Sequence, residues 1–217
     1  MSESRDSIVL TGFEPFATFK ANPSWEAART FHDREIDSFT IRSFQIPLIF
    51  NEIKPRIIEI IDTQKPAAMI NLGQSARPVI SLEQVAVNLV DLTESTVLYN
   101  CGTRPRDQTL EVGAPKAYFS TLPLREIFNE LQASNIPAEI SYTAGTFGCN
   151  QLFYQSMHKI AKDRLNIPAG FIHVPCLPSQ AAQLHKEKGR LIPSMDLNTT
   201  IEALEITIKT TLRRVRK

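Results

Sequence analysis

Apolar residues follow two alternating patterns along this chain. Short runs rich in β-branched and aromatic residues predict strands, and longer stretches with an apolar residue every three or four positions predict amphipathic helices. The predicted strands are residues 7–12, 39–46, 67–72, 79–90, 138–144 and 169–174. The predicted helices are residues 23–31, 48–64, 124–133 and 150–165, followed by a last helix with an apolar stripe from 201 to 215. The alternation predicts an α/β sandwich with a largely parallel sheet.

Proline and glycine residues divide these elements. Asn22-Pro23 predicts a capped helix start, and Pro55 either kinks the second helix or marks its true start. Residues 91–115 are polar and are interrupted by two glycines and two prolines. We therefore expect an extended excursion there, with at most one hairpin.

Composition and charge restrict the class of protein. The 217 residues are 42% hydrophobic and 22% charged, which is typical of one compact domain spanning residues 1–217. Twenty-four Lys and Arg against 23 Asp and Glu leave a net charge of +1. Such a weak field would not steer the protein onto nucleic acid or an anionic membrane, so a small, weakly charged partner fits better.

The cysteines and the apolar runs indicate a cellular compartment. The first apolar run, residues 8–10, is too short for a secretory signal, and no segment is long enough to span a bilayer. Three cysteines, an odd number, have spacings that match neither a zinc cluster nor a disulfide framework. We expect reduced cysteines in the cytoplasm, one of them reactive.

Cys149 is the candidate nucleophile. It lies where a predicted strand passes through a glycine-containing turn into a predicted helix. Unpaired amides and the positive end of the helix dipole would favour a thiolate there. A small buried core residue is an equally weighted alternative. Cys101, in a polar loop where nothing obvious would activate it, and Cys176, between two prolines, are expected to have structural roles.

A thiol nucleophile needs an imidazole partner, and elimination favours one of the four histidines. His158 follows Cys149 by nine residues, which places it on the opposite face of the same helix. His32 and His185 lie in polar runs typical of solvated surface. His173 ends an apolar strand, where we expect it at a sheet edge within reach of the cysteine. The alternative is a hydrogen-bonded core histidine.

Glu83 is the candidate acid that orients the imidazole. Alternation through the predicted strand 79–90 puts its side chain on the side of the apolar residues at 85, 87 and 89. A carboxylate on an apolar face needs a partner, because unpaired burial of its charge is costly. Asp91 is a second candidate, and a structural ion pair with an arginine such as Arg77 is the alternative for Glu83.

Several short motifs occur together and in order along most of the chain. They are Thr-Gly-Phe-Glu-Pro-Phe at 11–16, Asn-Pro-Ser-Trp-Glu-Ala at 22–27, Gly-Gln at 73–74, Ile-Ser-Leu-Glu at 80–83, Ala-Val-Asn at 86–88, Ala-Tyr-Phe-Ser-Thr-Leu-Pro at 117–123, Thr-Ala-Gly-Thr-Phe at 143–147, Cys-Asn at 149–150 and Gly-Phe-Ile-His at 170–173. Together they resemble the pyroglutamyl peptidase I family, the pyrrolidone-carboxylate peptidases, which are cysteine peptidases.

The resemblance implies an activity and a set of site residues. It implies removal of the N-terminal pyroglutamyl residue from peptides by a Cys-His-Glu triad, whose positions fall on Cys149, His173 and Glu83. It also implies a three-layer α/β/α domain with a mixed sheet, no cofactor or metal, a cytosolic location and a homo-oligomer, either a tetramer or a dimer. The amides of residues 148–150 would bind the oxyanion.

The same resemblance implies a pocket for the flat lactam ring. The family positions that grip the ring fall on Phe13, Phe16 and Phe147, and Gln74 is expected to help orient the lactam. The alternative for the three phenylalanines is core packing. A neutral cyclic amide suits such a pocket, because an ordinary N-terminal ammonium would have to be desolvated to enter it.

The chain departs from the family pattern near the expected site. The turn Gly-Gln-Ser-Ala-Arg is one residue shorter than the Gly-Gln-Ala-Gly-Gly-Arg of many relatives. Asp91 is followed by Leu-Thr where Asp-Ala-Arg is common, so the arginine expected at Thr93 is missing. Gly148 stands where valine is usual, and Leu48 where threonine is frequent. We expect a changed pocket wall around an intact triad.

These departures leave two rival functions. One is a thiol amidohydrolase of the same fold that acts on another small cyclic or N-blocked amide. The other is a non-catalytic relative that binds such a ligand, and the intact triad positions argue against it.

Overall fold

The computed structural model describes residues 6–93, 95 and 97–215. Its strands are β1 (Ser7–Phe13), β2 (Glu35–Ile36), β3 (Phe39–Ile46), β4 (Ala68–Ser75), β5 (Ile80–Glu83), β6 (Val85–Val87), β7 (Ala117–Phe119), β8 (Ala138–Ser141) and β9 (Ala169–Pro175). Its helices are α1 (Pro23–Arg29), α2 (Phe50–Gln64), α3 (Leu124–Ala133), α4 (Gly148–Lys162), α5 (Pro178–Lys188) and α6 (Leu197–Val215).

Seven strands form one mixed sheet in the order β2-β3-β1-β4-β9-β5-β8. Strands β3, β1, β4 and β9 are parallel, whereas β5 is antiparallel to β9 and parallel to β8. Strand β2 is antiparallel to β3 at one edge, and β6 and β7 form a separate two-stranded sheet. The predicted α/β architecture with a largely parallel sheet is confirmed.

Helices cover both faces of the sheet, so the fold has two hydrophobic cores. Helices α1, α3 and α6 pack on one face, and α2 and α4 pack on the other. Successive residues of β9 show the division, because Phe171 belongs to the core beneath α2 and α4 while Ile172 belongs to the opposite core. Burial on both faces explains why the central strands are apolar at nearly every position.

Several predicted elements are confirmed, and others begin or end elsewhere. The predictions for 39–46 and 124–133 match β3 and α3 residue for residue. Helix α2 begins at Phe50 and continues through Pro55, so this proline does not mark the helix start. Helix α5 was not predicted, because Gln180 is the one residue in it that is buried and an apolar stripe is missing.

The predicted strand 79–90 is wrong as a single element. Strand β5 ends at Glu83, and Gln84 then bonds through its backbone to Ser141 and Ser120, at 2.7 and 2.9 Å. The chain continues into β6, where the more buried positions are 86, 88 and 90 rather than 85, 87 and 89. The break at Gln84 therefore shifts the alternation, and Glu83 is buried because all four residues of β5 are buried.

Side chains anchor the excursion at 91–115. Val90 forms an isolated bridge with Gln108, in agreement with at most one hairpin. The Asn88 side chain bonds both the N–H and the C=O of Glu111, at 2.8 and 2.7 Å. Among the described helices, none has the length and apolar character needed to cross a membrane.

Candidate active site

The site lies where the winding of the sheet changes direction. Strand β1 is between β3 and β4, and the chain leaves it through α1 on one face and reaches β4 through α2 on the other. The β1–β4 pairing ends at Thr11 and Asn71, short of Phe13 and Gly73. Ligands of doubly wound sheets bind in the crevice at such a switch point.

Cys149 is the second residue of α4 and is half-buried. Phe147 precedes the helix in an extended conformation, and its C=O accepts the first helical bond from Gln151 N–H at 3.0 Å. A phenylalanine has no side-chain group to cap the first amides, so these amides point their partial positive charge toward the thiol.

Gly73 allows the sulfur to lie directly over the sheet. A Cβ atom at this position would be 2.7 Å from Cys149 Sγ and 2.6 Å from Phe171 Cζ, both too close. Gly73 pairs with His173 across β4 and β9. Any side chain at 73 would therefore push the thiol away from the strand that carries the histidine.

His173 is buried, with 5% of its surface exposed, and it contacts both predicted partners. Its Nδ1 lies 2.7 Å from Glu83 Oε1, and its ring adjoins the Cys149 thiol. Burial alone would lower its pKa, but the Cys149 charge and the hydrogen bonds with Cys149 and Glu83 raise the pKa to about 9. His173 lies near the carboxyl end of β9, as predicted, and β4 and β5 flank this strand on its two sides.

Glu83 is fully buried and has two partners at the same oxygen. Its Oε1 accepts hydrogen bonds from His173 Nδ1 and from Arg77 Nη1, the latter at 2.9 Å. The ion pair that was the alternative to a histidine contact therefore coexists with it. Asp91, the other candidate acid, instead bonds Thr93 through both its N–H and its hydroxyl, and the hydroxyl bond contributes most to lowering the Asp91 pKa.

The other histidines have different partners, as their sequence positions predicted. His158 Nδ1 lies 2.9 Å from Tyr118 Oη, and the ring stacks on Tyr154. His32 is exposed and accepts a hydrogen bond from Ser43 N–H, and His185 is exposed on α5.

The three phenylalanines predicted to grip a lactam differ in exposure. Phe13 is 2% exposed and belongs to the core beneath α2 and α4, in agreement with the packing alternative. Phe16 and Phe147 are half-buried at the margin of that core. The Phe147 ring lies 4.6 Å from the buried Tyr99 ring, which fixes its orientation. Their assignment to a substrate pocket stays a prediction.

Gln74 bonds groups on the opposite side of the sheet from Cys149. Gly73 adjoins the sulfur, so alternation along β4 directs Gln74 to the other face. Its Nε2 donates to Cys176 Sγ at 2.9 Å, and its Oε1 accepts from Gln180 Nε2 at 3.2 Å. A role in orienting a lactam stays a prediction, and the side chain would have to exchange these bonds to perform it.

Glu14 is a loop-bridging residue that sequence reasoning missed. Its Oε1 accepts from Leu48 N–H at 2.8 Å and from Asn100 Nδ2 at 2.7 Å, so it ties three loops together near the end of β1. A charged residue between Phe13 and Phe16 in an otherwise apolar motif was the available signal.

Two departures from the family pattern are in contact with each other. A Cβ atom at Gly148 would collide with the Cδ1 methyl of Leu48. The leucine therefore occupies the volume next to Cys149 that a side chain at 148 would need. The two departures therefore compensate each other, because the larger side chain at 48 fills the space that the glycine at 148 leaves open.

The expectation that nothing activates Cys101 is wrong. Its thiol is exposed, and Sγ lies 3.1 Å from Thr103 Oγ1. Burial is the largest single effect and raises the pKa of this thiol, but hydrogen bonds with Thr103 and with backbone amides together lower the pKa overall. Cys176 is buried, and burial raises its pKa.

The fold and the site define a class of protein. A doubly wound sheet carries a thiol, an imidazole and a carboxylate in contact at its switch point, the arrangement typical of α/β hydrolytic enzymes that use a cysteine.

Comparisons with known proteins agree with this class. The family model described as pyroglutamyl peptidase matches residues 6–214. Pyrrolidone-carboxylate peptidase 1 of Ralstonia nicotianae is 41% identical over 209 residues, which are 96% of this chain and 94% of the relative. A pyrrolidone-carboxylate peptidase of Bacillus cereus is 40% identical over 206 residues, 94% of this chain and 92% of the relative.

Solved structures give the same result. The pyrrolidone carboxyl peptidase of Pyrococcus furiosus matches with a TM-score of 0.92 at 33% identity, over 96% of this chain and 99% of that one. The pyroglutamyl peptidase I of Bacillus amyloliquefaciens matches with a TM-score of 0.87 at 35% identity, over 96% and 95% of the two chains. The chain belongs to the pyroglutamyl peptidase family.

Proposed function

We propose that this protein is a cysteine exopeptidase that removes the N-terminal pyroglutamyl residue from peptides, with Cys149, His173 and Glu83 as its catalytic residues. The observation that carries the proposal is the continuous contact from the Cys149 thiol through the His173 ring to the Glu83 carboxylate. Membership of the family supplies the substrate class.

The reaction has two stages. The Cys149 thiolate attacks the carbonyl carbon of the pyroglutamyl residue, and the His173 imidazolium gives its proton to the departing amine as the peptide bond breaks. The pyroglutamyl group then forms a thioester with the sulfur. Neutral His173 takes a proton from a water molecule that attacks this thioester, and free pyroglutamate leaves as the thiol group is regenerated.

The surrounding groups support both stages. Glu83 accepts the Nδ1 hydrogen of His173, which leaves Nε2 for the thiol and the leaving amine. The tetrahedral oxyanion needs hydrogen-bond donors, and the amides at the start of α4, from Gly148 to Asn150, point toward it. Phe16 and Phe147 provide half-buried apolar surface for the flat lactam ring.

The cysteines and one exposed aromatic ring support a location and an assembly for the protein. We infer a cytoplasmic location, because all three cysteines are free thiols. We also infer a homo-oligomer, a dimer or a tetramer, supported by the exposed ring of Phe119 beside the β6–β7 pair. Light scattering on the purified protein measures the number of subunits, and a monomer at micromolar concentration would contradict this inference.

A reporter assay tests the proposed activity. Release of the amine from a pyroglutamyl-amide reporter should be readily measured for the unaltered protein and lost in Cys149→Ala. Cys101→Ser is the matched control, and we expect it to keep activity. A protein that binds pyroglutamate without cleaving the reporter would be the non-catalytic relative. Cleavage of another blocked amide in its place would identify the alternative amidohydrolase.

A further inference from the structure

Arg77 has an unusually large number of partners for a residue in a turn. It lies between β4 and β5, and its side chain is 33% exposed. Its Nη1 donates to Glu83 Oε1 at 2.9 Å and to Ser141 Oγ at 2.8 Å, and its Nη2 donates to the C=O of Thr143 at 3.0 Å. The guanidinium therefore bridges the end of β5 to the end of β8.

The carboxylate that Arg77 contacts depends on very few groups. Glu83 is fully buried, and its Oε2 has no hydrogen-bond partner among the described residues. Both of its described hydrogen bonds are at Oε1, one from His173 and one from Arg77. A buried carboxylate with no compensating charge is very costly, so these two groups must balance it.

Only one of the two groups stays charged through the proposed reaction. His173 is an imidazolium before it protonates the departing amine and a neutral imidazole afterwards. At that moment Glu83 would have no cationic partner but Arg77. A guanidinium cannot lose its proton in a protein, so its charge is constant across both stages.

The same guanidinium reaches the segment that carries the nucleophile. Ser141 ends β8, and Thr143 lies in the connection that leads to α4, whose second residue is Cys149. Arg77 thus ties the acid of the site to the chain segment that positions the thiol. An ion pair confined to the surface would not link Glu83 to that segment.

We propose that Arg77 is a positioning residue that holds Glu83 against His173 in both charge states of the histidine. This inference rests on the proposed function. It requires that the loss of Arg77 affect turnover more than substrate binding, because Arg77 acts through Glu83.

The pH dependence of turnover provides a signature for this role. The charged and titratable groups around His173 are Cys149 from α4, Glu83 from β5, Arg77 from the preceding turn and Glu139 from β8, which lies 3.5 Å from Arg77. The positive charge of Arg77 disfavours the His173 imidazolium, so removing it should raise the His173 pKa. The alkaline limb of kcat should therefore move to higher pH, by about one unit.

The experiment compares three variants with the unaltered protein. Arg77→Met should lower kcat roughly 100-fold with KM changed less than about 2-fold, the size of effect expected from a misplaced catalytic group. Arg77→Lys keeps the charge and should restore part of kcat and the original alkaline limb. Arg125→Met, which removes an arginine of α3 that packs over Phe128, is the matched control and should leave both unchanged.

The amount of folded protein must be measured alongside turnover. The helical circular dichroism signal gives the folded fraction, so a lower kcat is referred to folded enzyme. The inference fails if Arg77→Met keeps kcat within about 3-fold of the unaltered protein, or if the loss equals the loss of folded protein with the alkaline limb unmoved.

Failure of the proposed function would be recognised separately. If the unaltered protein is inert toward the pyroglutamyl reporter, the proposed function is contradicted. The role of Arg77 is then tested by the rate of alkylation of Cys149. The rate of this alkylation against pH should shift upward in Arg77→Met and stay unchanged in Arg125→Met. An unshifted profile would contradict the inference even then.

Discussion

At the residue scale, the three cysteines are chemically distinct although none is in a disulfide. Cys149 lies at a helix start beside His173, Cys101 is exposed with a lowered pKa, and Cys176 is buried with a raised pKa. Reactivity of a thiol follows its exposure and its thiolate fraction. The sequence had suggested one reactive cysteine, whereas the structure provides two accessible thiols.

Alkylation should separate these cysteines. We expect limited iodoacetamide to modify Cys149 and Cys101 while Cys176 stays unmodified, as read by peptide mass spectrometry. Activity should fall in step with modification of Cys149 alone, because Cys101 is outside the contact of thiol, imidazole and carboxylate. Iodoacetamide should inactivate the Cys101→Ser variant at the same rate as the unaltered protein. Slower inactivation of that variant would contradict this assignment.

His173 predicts the alkaline limit of activity. The general-acid role proposed for His173 requires its imidazolium, which persists to about pH 9 because the pKa is raised to about 9. The ratio kcat/KM should therefore fall above that pH, since the general acid is lost as pH rises through its pKa. His173→Ala should abolish turnover, and His158→Ala, whose ring contacts Tyr118 and Tyr154, should keep it. An alkaline limb near pH 7 would contradict this prediction.

The contact between Leu48 and Gly148 predicts coupled effects of substitution. Gly148→Ala alone should lower the free energy of unfolding by about 1–3 kcal/mol, because the added methyl overlaps Leu48. Leu48→Ala alone should lower it by about 2–5 kcal/mol through the cavity it leaves.

In the double variant, the loss in free energy of unfolding should be at least about 1 kcal/mol smaller than the sum of the two single losses. The reason is that the new methyl enters the space left by the leucine. Urea unfolding of the four proteins measures this difference. Additivity within about 0.5 kcal/mol would show that residues 48 and 148 do not compete for the same volume.

At the element scale, the start of α4 is held in place by the side chain that follows Cys149. Asn150 is fully buried, and its Oδ1 accepts from Val87 N–H at 2.9 Å. Its Nδ2 donates to the C=O groups of Val87 and Leu89, at 2.9 and 2.8 Å. This amide completes the hydrogen bonding of β6, which otherwise has β7 as its one strand partner. It thereby fixes the first turn of α4 against the smaller sheet.

Removing that amide should loosen both elements. Asn150→Ala is expected to lower the free energy of unfolding by about 3 kcal/mol, because it leaves buried backbone groups of β6 without partners. Turnover should fall as well, since Cys149 lies in the same helical turn. Asn129→Ala, an exposed position of α3, is the control and should change stability by less than about 0.5 kcal/mol. Equal unfolding free energies for the two variants would contradict the role of Asn150.

At the scale of the whole molecule, the sequence predicted the architecture better than the direction of individual strands. The alternation of apolar runs with amphipathic stretches defined an α/β sandwich, because each element must bury its own apolar face. It did not reveal that β5 is antiparallel to β9 or that the strand 79–90 breaks at Gln84. Both features depend on backbone bonds with residues that are distant in the chain, and no local pattern encodes them.

For the candidate site too, the sequence pattern predicted the residues better than their contacts. Cys149 and His173 were identified from their positions at the start of a helix and the end of a strand, and Glu83 was favoured as the acid both by the expected alternation and by the resemblance. His173 and Arg77 were both named as possible partners of Glu83, but their binding to the same oxygen was not predictable, and neither was the orientation of Gln74, because each depends on how paired strands are turned. Exposure of Cys101 was likewise a property of the tertiary fold.

The contact between His173 and Glu83 joins residues that are 90 positions apart in the chain, and Gly73 meets His173 across a similar interval. Such distant partners meet only after long loops have closed, which is a slow step in folding. During refolding from urea, helical circular dichroism should therefore recover before rapid alkylation of Cys149 does. Simultaneous recovery of both signals would contradict this order. The Cys149 thiol thus serves as a natural reporter of the last assembly step of the chain.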